Sequence, residues 1–251
     1  MNTTILVVPC FNEAARLNAS AFTTFLQQHP HVHCLFVNDG STDATAGALD
    51  KMAARSENIS VLHLEKNSGK AEAVRQGFLK AFTMNAAAVG FIDADLAAPL
   101  ECVPELEHYL AHSNAEIVIG ARVSLLGRRI QRDEVRHICG RVFATLASRI
   151  LHLPIYDTQC GAKLFRVTER LKKVFAAPFT VKWIFDVEIL ARFMVTEKDG
   201  YSLVRDICVE HPLHTWTDIK GSKLRARDFL TSALDLYKIH ALIQKNTLPP
   251  Q

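Results

Sequence analysis

The sequence predicts an α/β fold, a doubly wound and mainly parallel sheet flanked by helices, and three observations predict it. Short apolar, β-branched runs recur through the first half of the chain, the stretches between them are long enough for helices, and every run ends in a polar or glycine-bearing cluster. A parallel crossover needs about a dozen residues and is usually helical. In an open parallel sheet the carboxyl ends of the strands share one edge, and ligands bind there at the switch in strand order. Clusters at those ends therefore converge on one crevice.

Taken in order, residues 5–8 form the first strand, followed by Pro9, Cys10, Phe11, Asn12 and Glu13. Residues 34–37 form the second and run into Asn38, Asp39, Gly40, Ser41, Thr42 and Asp43. Gly40 permits a tight turn there, and Asp43 is placed to cap a helix over 44–56. Residues 61–64 form the third, ending in Glu65, Lys66, Asn67, Ser68, Gly69 and Lys70 before a helix over 71–85. Residues 89–92 deliver Asp93, Ala94 and Asp95, and residues 117–119 deliver Gly120, Ala121 and Arg122. Past Arg122 the rhythm changes: helices are expected over 135–151 and 185–195, a short strand over 203–209 and a final helix over 224–244. The expected organisation is one domain over 1–225, with a nucleotide-binding half to about 122 and a helical, acceptor-side half over 123–225. A carboxyl-terminal amphipathic helix and tail cover 226–251.

The composition agrees with a single large core and excludes several classes. The chain has 251 residues, 49% hydrophobic and 22% charged, with only 11 Gly and 9 Pro, so it is neither fibrous nor disordered. A net charge of +3 is too slight to argue for nucleic acid as a partner. Six cysteines are scattered with no C-x-x-C pair, which points to buried thiols rather than a zinc site or disulfide framework. No window reaches the ~18 uninterrupted apolar residues of a membrane span. The amino terminus lacks a basic region and a long apolar run, so a cytoplasmic location is expected. Neither G-x-G-x-x-G after the first strand nor G-x-x-x-x-G-K-[ST] occurs, which disfavours dinucleotide redox and P-loop chemistry.

Asp93 and Asp95 leave a buried strand one residue apart, and hard oxygens presented in that way suit Mg²⁺ or Mn²⁺ shared with a substrate's phosphates. The competing reading of an Asp-x-Asp is a turn or helix cap. Asp39 ends the second strand and is placed to accept a hydrogen bond from a nucleotide base. Lys70 follows Gly69 at a helix start, where amide N–H groups and a cation could face phosphate.

This ordered series resembles the inverting glycosyltransferases of family 2, which have the GT-A fold. Its landmarks are Val8 to Glu13, Val37 to Asp43, Asn67 to Lys70, Asp93 to Asp95 and Gly120 to Arg122, then Asp157 to Phe165, Phe185 to Glu188, and Trp216 with Gly221 to Leu224. The later motifs resemble the branch that makes polyprenyl-phosphate sugars, above all the dolichyl-phosphate β-glucosyltransferases, with dolichol-phosphate mannose synthases as close relatives. The resemblance runs from residue 4 to about 225. It implies that Pro9, Phe11, Asn12, Glu13, Asp39, Lys70, Asp93 and Ala94 bind the donor, and that Asp93 and Asp95 hold the divalent cation. Arg122 would meet a phosphate, and Arg136, Arg141, Gln159, Ser222 and Lys223 would serve the acceptor; Arg136 and Arg141 also suit a solvated helix face. Where mannose synthases follow the Asp-x-Asp with a metal-binding Gln, this chain has Ala97, which favours the glucosyl branch.

The resemblance therefore implies an inverting transfer of a hexose, glucose from UDP-glucose, to a polyprenyl or dolichyl phosphate. The acceptor attacks opposite the departing nucleotide through a transition state with oxocarbenium character. A cation on Asp95 would stabilise the leaving diphosphate by several kcal/mol. A lipid phosphate is already an anion and needs no general base. A soluble hydroxyl acceptor would need one, and Asp186 or Glu188 is the candidate, although Glu188 equally suits fixing an arginine or a loop. A third reading keeps the fold as a non-catalytic nucleotide-sugar-binding protein. Near the carboxyl end Ala226, Phe229, Leu230, Ala233, Leu234, Tyr237 and Ala241 follow helical spacing among Lys220, Lys223, Arg225, Arg227, Lys238 and Lys245. That stripe suits peripheral contact with an anionic membrane face, or packing against the sheet.

Overall fold

The computed structural model describes residues 3–196, 200–218 and 226–247. The first half alternates as expected: β1 (Thr4–Cys10), α1 (Ala19–Gln28), β2 (Val32–Asp39), α2 (Thr45–Ala53), β3 (Ile59–Leu64), α3 (Lys70–Phe82), β4 (Ala88–Ile92), α4 (Cys102–His112) and β5 (Ile117–Ala121). The second half adds β6 (Arg129–Gln131), α5 (Glu134–Leu151), β7 (Ala162–Arg166), α6 (Glu169–Ala176), α7 (Phe185–Val195), α8 (Gly200–Ile207), β8 (Cys208–Pro212), β9 (Thr215–Thr217) and α9 (Ala226–Thr247).

Seven strands form one sheet in the order β3-β2-β1-β4-β7-β5-β8. β1 pairs in parallel with both β2 and β4, so the order reverses between β1 and β4. β7 is antiparallel to β4 and to β5, and β8 is parallel to β5. Residues 123–225 are thus not a separate layer, because one of their strands lies between two from the first half. Period-two alternation divides the core between the sheet faces. Ile5 and Val7 pack with Val74 and Phe78 of α3, whereas Leu6 and Val8 pack with Phe22 of α1 and Leu106 of α4.

Two expectations are corrected. The strand over 203–209 is mostly helix, since Val204 and Ile207 are buried one turn apart in α8, and the strand begins only at Cys208. In α9 the buried stripe is Leu236, Ile239 and Ile243, while Ala233, Leu234, Tyr237 and Ala241 are exposed. The described part of the stripe picked out in the sequence therefore does not pack on the core. Gly221 to Leu224, and the side chains of Ala226, Phe229 and Leu230, lie outside what is described.

Candidate active site

A cleft of about 580 Å³ opens at the carboxyl edge of the sheet, where the strand order reverses. Pro9, Phe11, Glu13, Asp39, Lys70, Asp93, Ala94, Asp95 and Arg122 all line it, as do Arg141, Gln159 and Asp186. Among the donor-side candidates Asn12 does not. Its backbone sits in the left-handed region at φ 52°, its side-chain oxygen accepts the Thr42 N–H at 2.9 Å, and its own N–H donates to Ser41 Oγ at 3.0 Å. Asn12 therefore ties the loop after β1 to the loop after β2, a positioning task rather than a lining one. Arg136 lies in α5 with its side chain outside what is described, and Ser222 and Lys223 lie outside the described residues.

Asp39, 2% exposed, accepts the N–H groups of Ser68 at 2.7 Å and Gly69 at 2.8 Å. The carboxylate expected beside a base thus also fixes the loop that delivers Lys70. Gly40 lets that loop come close: its φ is 62°, and a Cβ there would lie 2.5 Å from backbone atoms of Lys66 and Asn67. The N-cap of α2 is Ala44, with no side-chain cap, and Asp43, one residue earlier than a cap, accepts the N–H of the first helical residue, Thr45, at 2.9 Å and the Ala14 N–H at 3.3 Å.

The Lys70 ammonium lies 2.6 Å from Asp93 Oδ1. Burial works to lower the pKa of Lys70, but the charges of Asp93 and Asp186 outweigh it and hold the ammonium above its ordinary value. Burial pushes the Asp95 carboxyl up, and the nearby Asp93 charge adds to that. Asp95 Oδ1 accepts the Ala97 N–H at 3.2 Å, and Leu96 between them has φ 53°. A left-handed backbone at a bulky residue costs roughly 1–2 kcal/mol, so the turn holding Asp95 is strained.

Two like charges held together in partial burial are what a cation would relieve, and the oxygen donors suit Mg²⁺ or Mn²⁺. Among the described residues no third His, Cys, Asp or Glu completes a metal cluster with them. The remaining ligands would be water and substrate oxygens, the usual situation for a cation shared with a diphosphate.

Arg122, two strands along the sheet, is gripped by Asp157. Its Nε and Nη2 donate to the two carboxylate oxygens at 2.6 and 2.8 Å, and its guanidinium lies 4.8 Å from the centre of the Trp216 ring. Glu210 accepts the N–H groups of Tyr156 and Asp157, each at 2.7 Å, and so braces the loop that carries them. Arg141 stacks on Tyr156 at 3.7 Å and donates to its carbonyl at 2.8 Å. Sequence reasoning passed over Arg132, Lys182 and Trp183, which also line the cleft. Burial and then the Arg122 charge lower the pKa of Arg132, an under-compensated cation facing the same space. The only signal was the basic run from Arg128 to Arg132.

Burial alone would raise the Asp157 carboxyl, but the hydrogen bonds and charge of Arg122 overcome it and hold the pKa at about 2. A depressed carboxyl stabilises the fold above its unfolded pKa, and that contribution is lost as pH falls through the folded value. A depression of this size is worth roughly 2 kcal/mol. Asp157→Asn should therefore lower the urea midpoint at pH 7 and flatten the decline in stability between about pH 4 and pH 2. An unchanged acid limb in the variant would contradict the pairing.

Asp186 and Glu188, two residues apart on α7, have different surroundings. The Asp186 carboxylate lines the cleft and is paired with the Lys163 ammonium, which also donates to the Cys160 carbonyl at 2.6 Å. Glu188 is fully buried; it accepts from the N–H groups of Thr180 and Val181, from the Thr180 hydroxyl, and from Nε and Nη2 of Arg192. It clamps the loop carrying Lys182 and Trp183, and of its two sequence readings the loop-fixing one fits.

The sequence pattern described as "Glycosyl transferase family 2" matches residues 5–169. The chain is 30% identical over 253 residues to a dolichyl-phosphate beta-glucosyltransferase of Trichomonas vaginalis, covering 96% of this chain and 73% of that one. It is 34% identical over 236 residues to the protein of that name from Drosophila melanogaster, covering 87% and 68%. Among solved structures, glucosyl-3-phosphoglycerate synthase from Mycobacterium tuberculosis, in complex with Mn²⁺, UDP and glucosyl-3-phosphoglycerate, superposes with a TM-score of 0.65. That match has 19% identity and covers 100% of this chain and 81% of the other, so the two share the GT-A fold.

Proposed function

The chain belongs to glycosyl transferase family 2, and from that membership we propose an inverting, metal-dependent transfer of glucose from UDP-glucose to the phosphate of a polyprenyl or dolichyl lipid. The observation that carries this reading is the distribution of charge in one cleft. Asp93 and Asp95 stand beside Lys70 where the strand order reverses, and Arg122, Arg132 and Arg141 gather two strands away. The names of the relatives support the sugar and the lipid, and the Mn²⁺ and UDP in the synthase of the same fold support the donor and the metal.

Asp93 and Asp95 would hold the cation, and Lys70 would add a second positive charge beside the donor diphosphate. Bound there, a divalent cation supplies Lewis-acid stabilisation of the departing UDP, on the order of several kcal/mol. The arginine group would hold the acceptor phosphate near the donor despite the repulsion of two anions. A phosphate nucleophile needs no proton removed. Asp186, the base candidate for a hydroxyl acceptor, is occupied by Lys163, which also favours the phosphate. The test is to offer UDP-glucose or GDP-mannose with dolichyl phosphate, with Mn²⁺ or with a chelator. UDP-glucose with metal should give a lipid-soluble glucosyl product. Transfer only to water-soluble hydroxyl acceptors, or from no nucleotide sugar at all, would refute the proposal.

Peripheral contact with a cytoplasmic membrane face belongs to the same proposal. α5 exposes Ile138, Val142 and Leu146 at 64%, 59% and 44%, and the neighbouring α9 exposes Leu234 and Tyr237 at 67% and 71%. Gly140, Arg141 and Ala144 of α5 and Ser232 of α9 line the cleft, so the apolar surface and the cleft wall belong to the same two helices. Exposed Arg149, Lys238 and Lys245 continue those outward faces and complement an anionic lipid surface. Burying one large apolar side chain is worth about 1.5–3 kcal/mol. Leu234→Asp with Tyr237→Asp should therefore lower sedimentation with phosphatidylserine vesicles at least tenfold, and rising salt should weaken the parent's binding. A parent that ignores such vesicles would count against membrane contact.

A further inference from the structure

Gly161 immediately precedes β7, and its carbonyl accepts the N–H of Asp93 at 3.1 Å. A Cβ built on Gly161 would fall 2.1 Å from Asp93 Oδ2 and 2.5 Å from its Cγ. Real Cβ atoms essentially never approach so closely, so the Asp93 carboxylate occupies the space a side chain at 161 would fill. Gly161 is not among the glycines with positive φ. The backbone would accept another residue there, and room rather than conformation calls for glycine. We propose that Gly161 is a positioning residue for Asp93: by lacking a side chain it lets the carboxylate lie against the start of β7, from where it reaches the Lys70 ammonium at 2.6 Å. The clash falls on the mobile end of an aspartate and spares the backbone, so alanine at 161 turns the carboxylate aside and leaves the sheet standing. The consequence for the metal rests on the function proposed above, whereas the steric claim does not.

The test combines Gly161→Ala with Asp93→Ala. In the parent background Gly161→Ala should lower the urea midpoint. In the Asp93→Ala background the same change should leave it unchanged or raise it, because the obstructing atoms are gone and alanine restricts the unfolded chain. Trp183 and Trp216 line the cleft, so their fluorescence is the signal to follow for nucleotide binding. Gly161→Ala should keep metal-free UDP affinity within twofold of the parent and reduce the tightening brought by Mn²⁺ at least tenfold. A purely structural role would weaken both alike. An equal fall in midpoint in both backgrounds, or full Mn²⁺ tightening in Gly161→Ala, overturns the assignment. Should the parent itself show no Mn²⁺ tightening, the metal reading fails, and the unfolding comparison still decides whether Gly161 seats Asp93.

Discussion

Asp95→Asn is expected to lower glucosyl transfer about a thousandfold while leaving the fold at least as stable as the parent. Lewis-acid stabilisation by the cation is worth several kcal/mol, and each 1.36 kcal/mol is a factor of ten in rate. The effect on stability has the opposite sign to that of a charge-paired carboxylate such as Asp157. Burial, then the charge of Asp93, raises the Asp95 carboxyl above its ordinary value, so the folded state disfavours the ionised form. Stability from such a group is present below the unfolded pKa and declines as pH rises toward the folded one, leaving a penalty at neutral pH. Asparagine removes that penalty. Turnover at saturating donor and acceptor, together with urea midpoints from pH 4 to pH 8, reads both effects. Transfer within tenfold of the parent, or a loss matched by a lower midpoint, would remove Asp95 from the chemistry.

The largest loss of stability is expected for Lys163→Met. The side chains of Lys163 and Asp186 are 3% and 6% exposed, so the substitution leaves a buried carboxylate without its directly bonded counter-charge, with Lys70 acting on it only from farther off. Breaking a buried pair in this way costs about 3–5 kcal/mol, whereas replacing both partners with apolar groups is often neutral. The double variant Lys163→Met with Asp186→Leu should recover most of the loss in urea unfolding. A cost below about 1 kcal/mol for the single change would mean that water reaches the pair. The same pairing complicates Asp186→Asn as a test for a catalytic base: transfer in that variant must be set against its own unfolding curve.

Much of the fold was legible because its signals are local. Five apolar runs, each closed by turn or charged residues, marked β1 to β5, and the order of their end clusters already placed Asp93, Asp95, Lys70 and Arg122 on one edge. β7 was not legible as a strand. Its Lys163 interrupts the apolar pattern, and the partners that justify a buried lysine, Asp186 and the Cys160 carbonyl, become neighbours only on folding. Residues 203–207 fit a strand or a helix equally by composition, and packing of Val204 and Ile207 chose the helix.

What the amino-acid order determined by itself is the doubly wound sheet, the family, and the set of charged residues delivered to its carboxyl edge, since strand period, turn chemistry and motif spacing act over a few neighbours. Tertiary structure alone decided how those charges are partnered: Asp39 and Asn12 to loop amides, Glu188 to a clamp, Asp186 to Lys163, and Arg132 to the cleft. It also decided which stripe of α9 is buried, Leu236, Ile239 and Ile243. The physical reason is that the free energy of a carboxylate or an apolar face depends on what lies against it, and apart from the Glu188 clamp those neighbours come from chain positions tens of residues away.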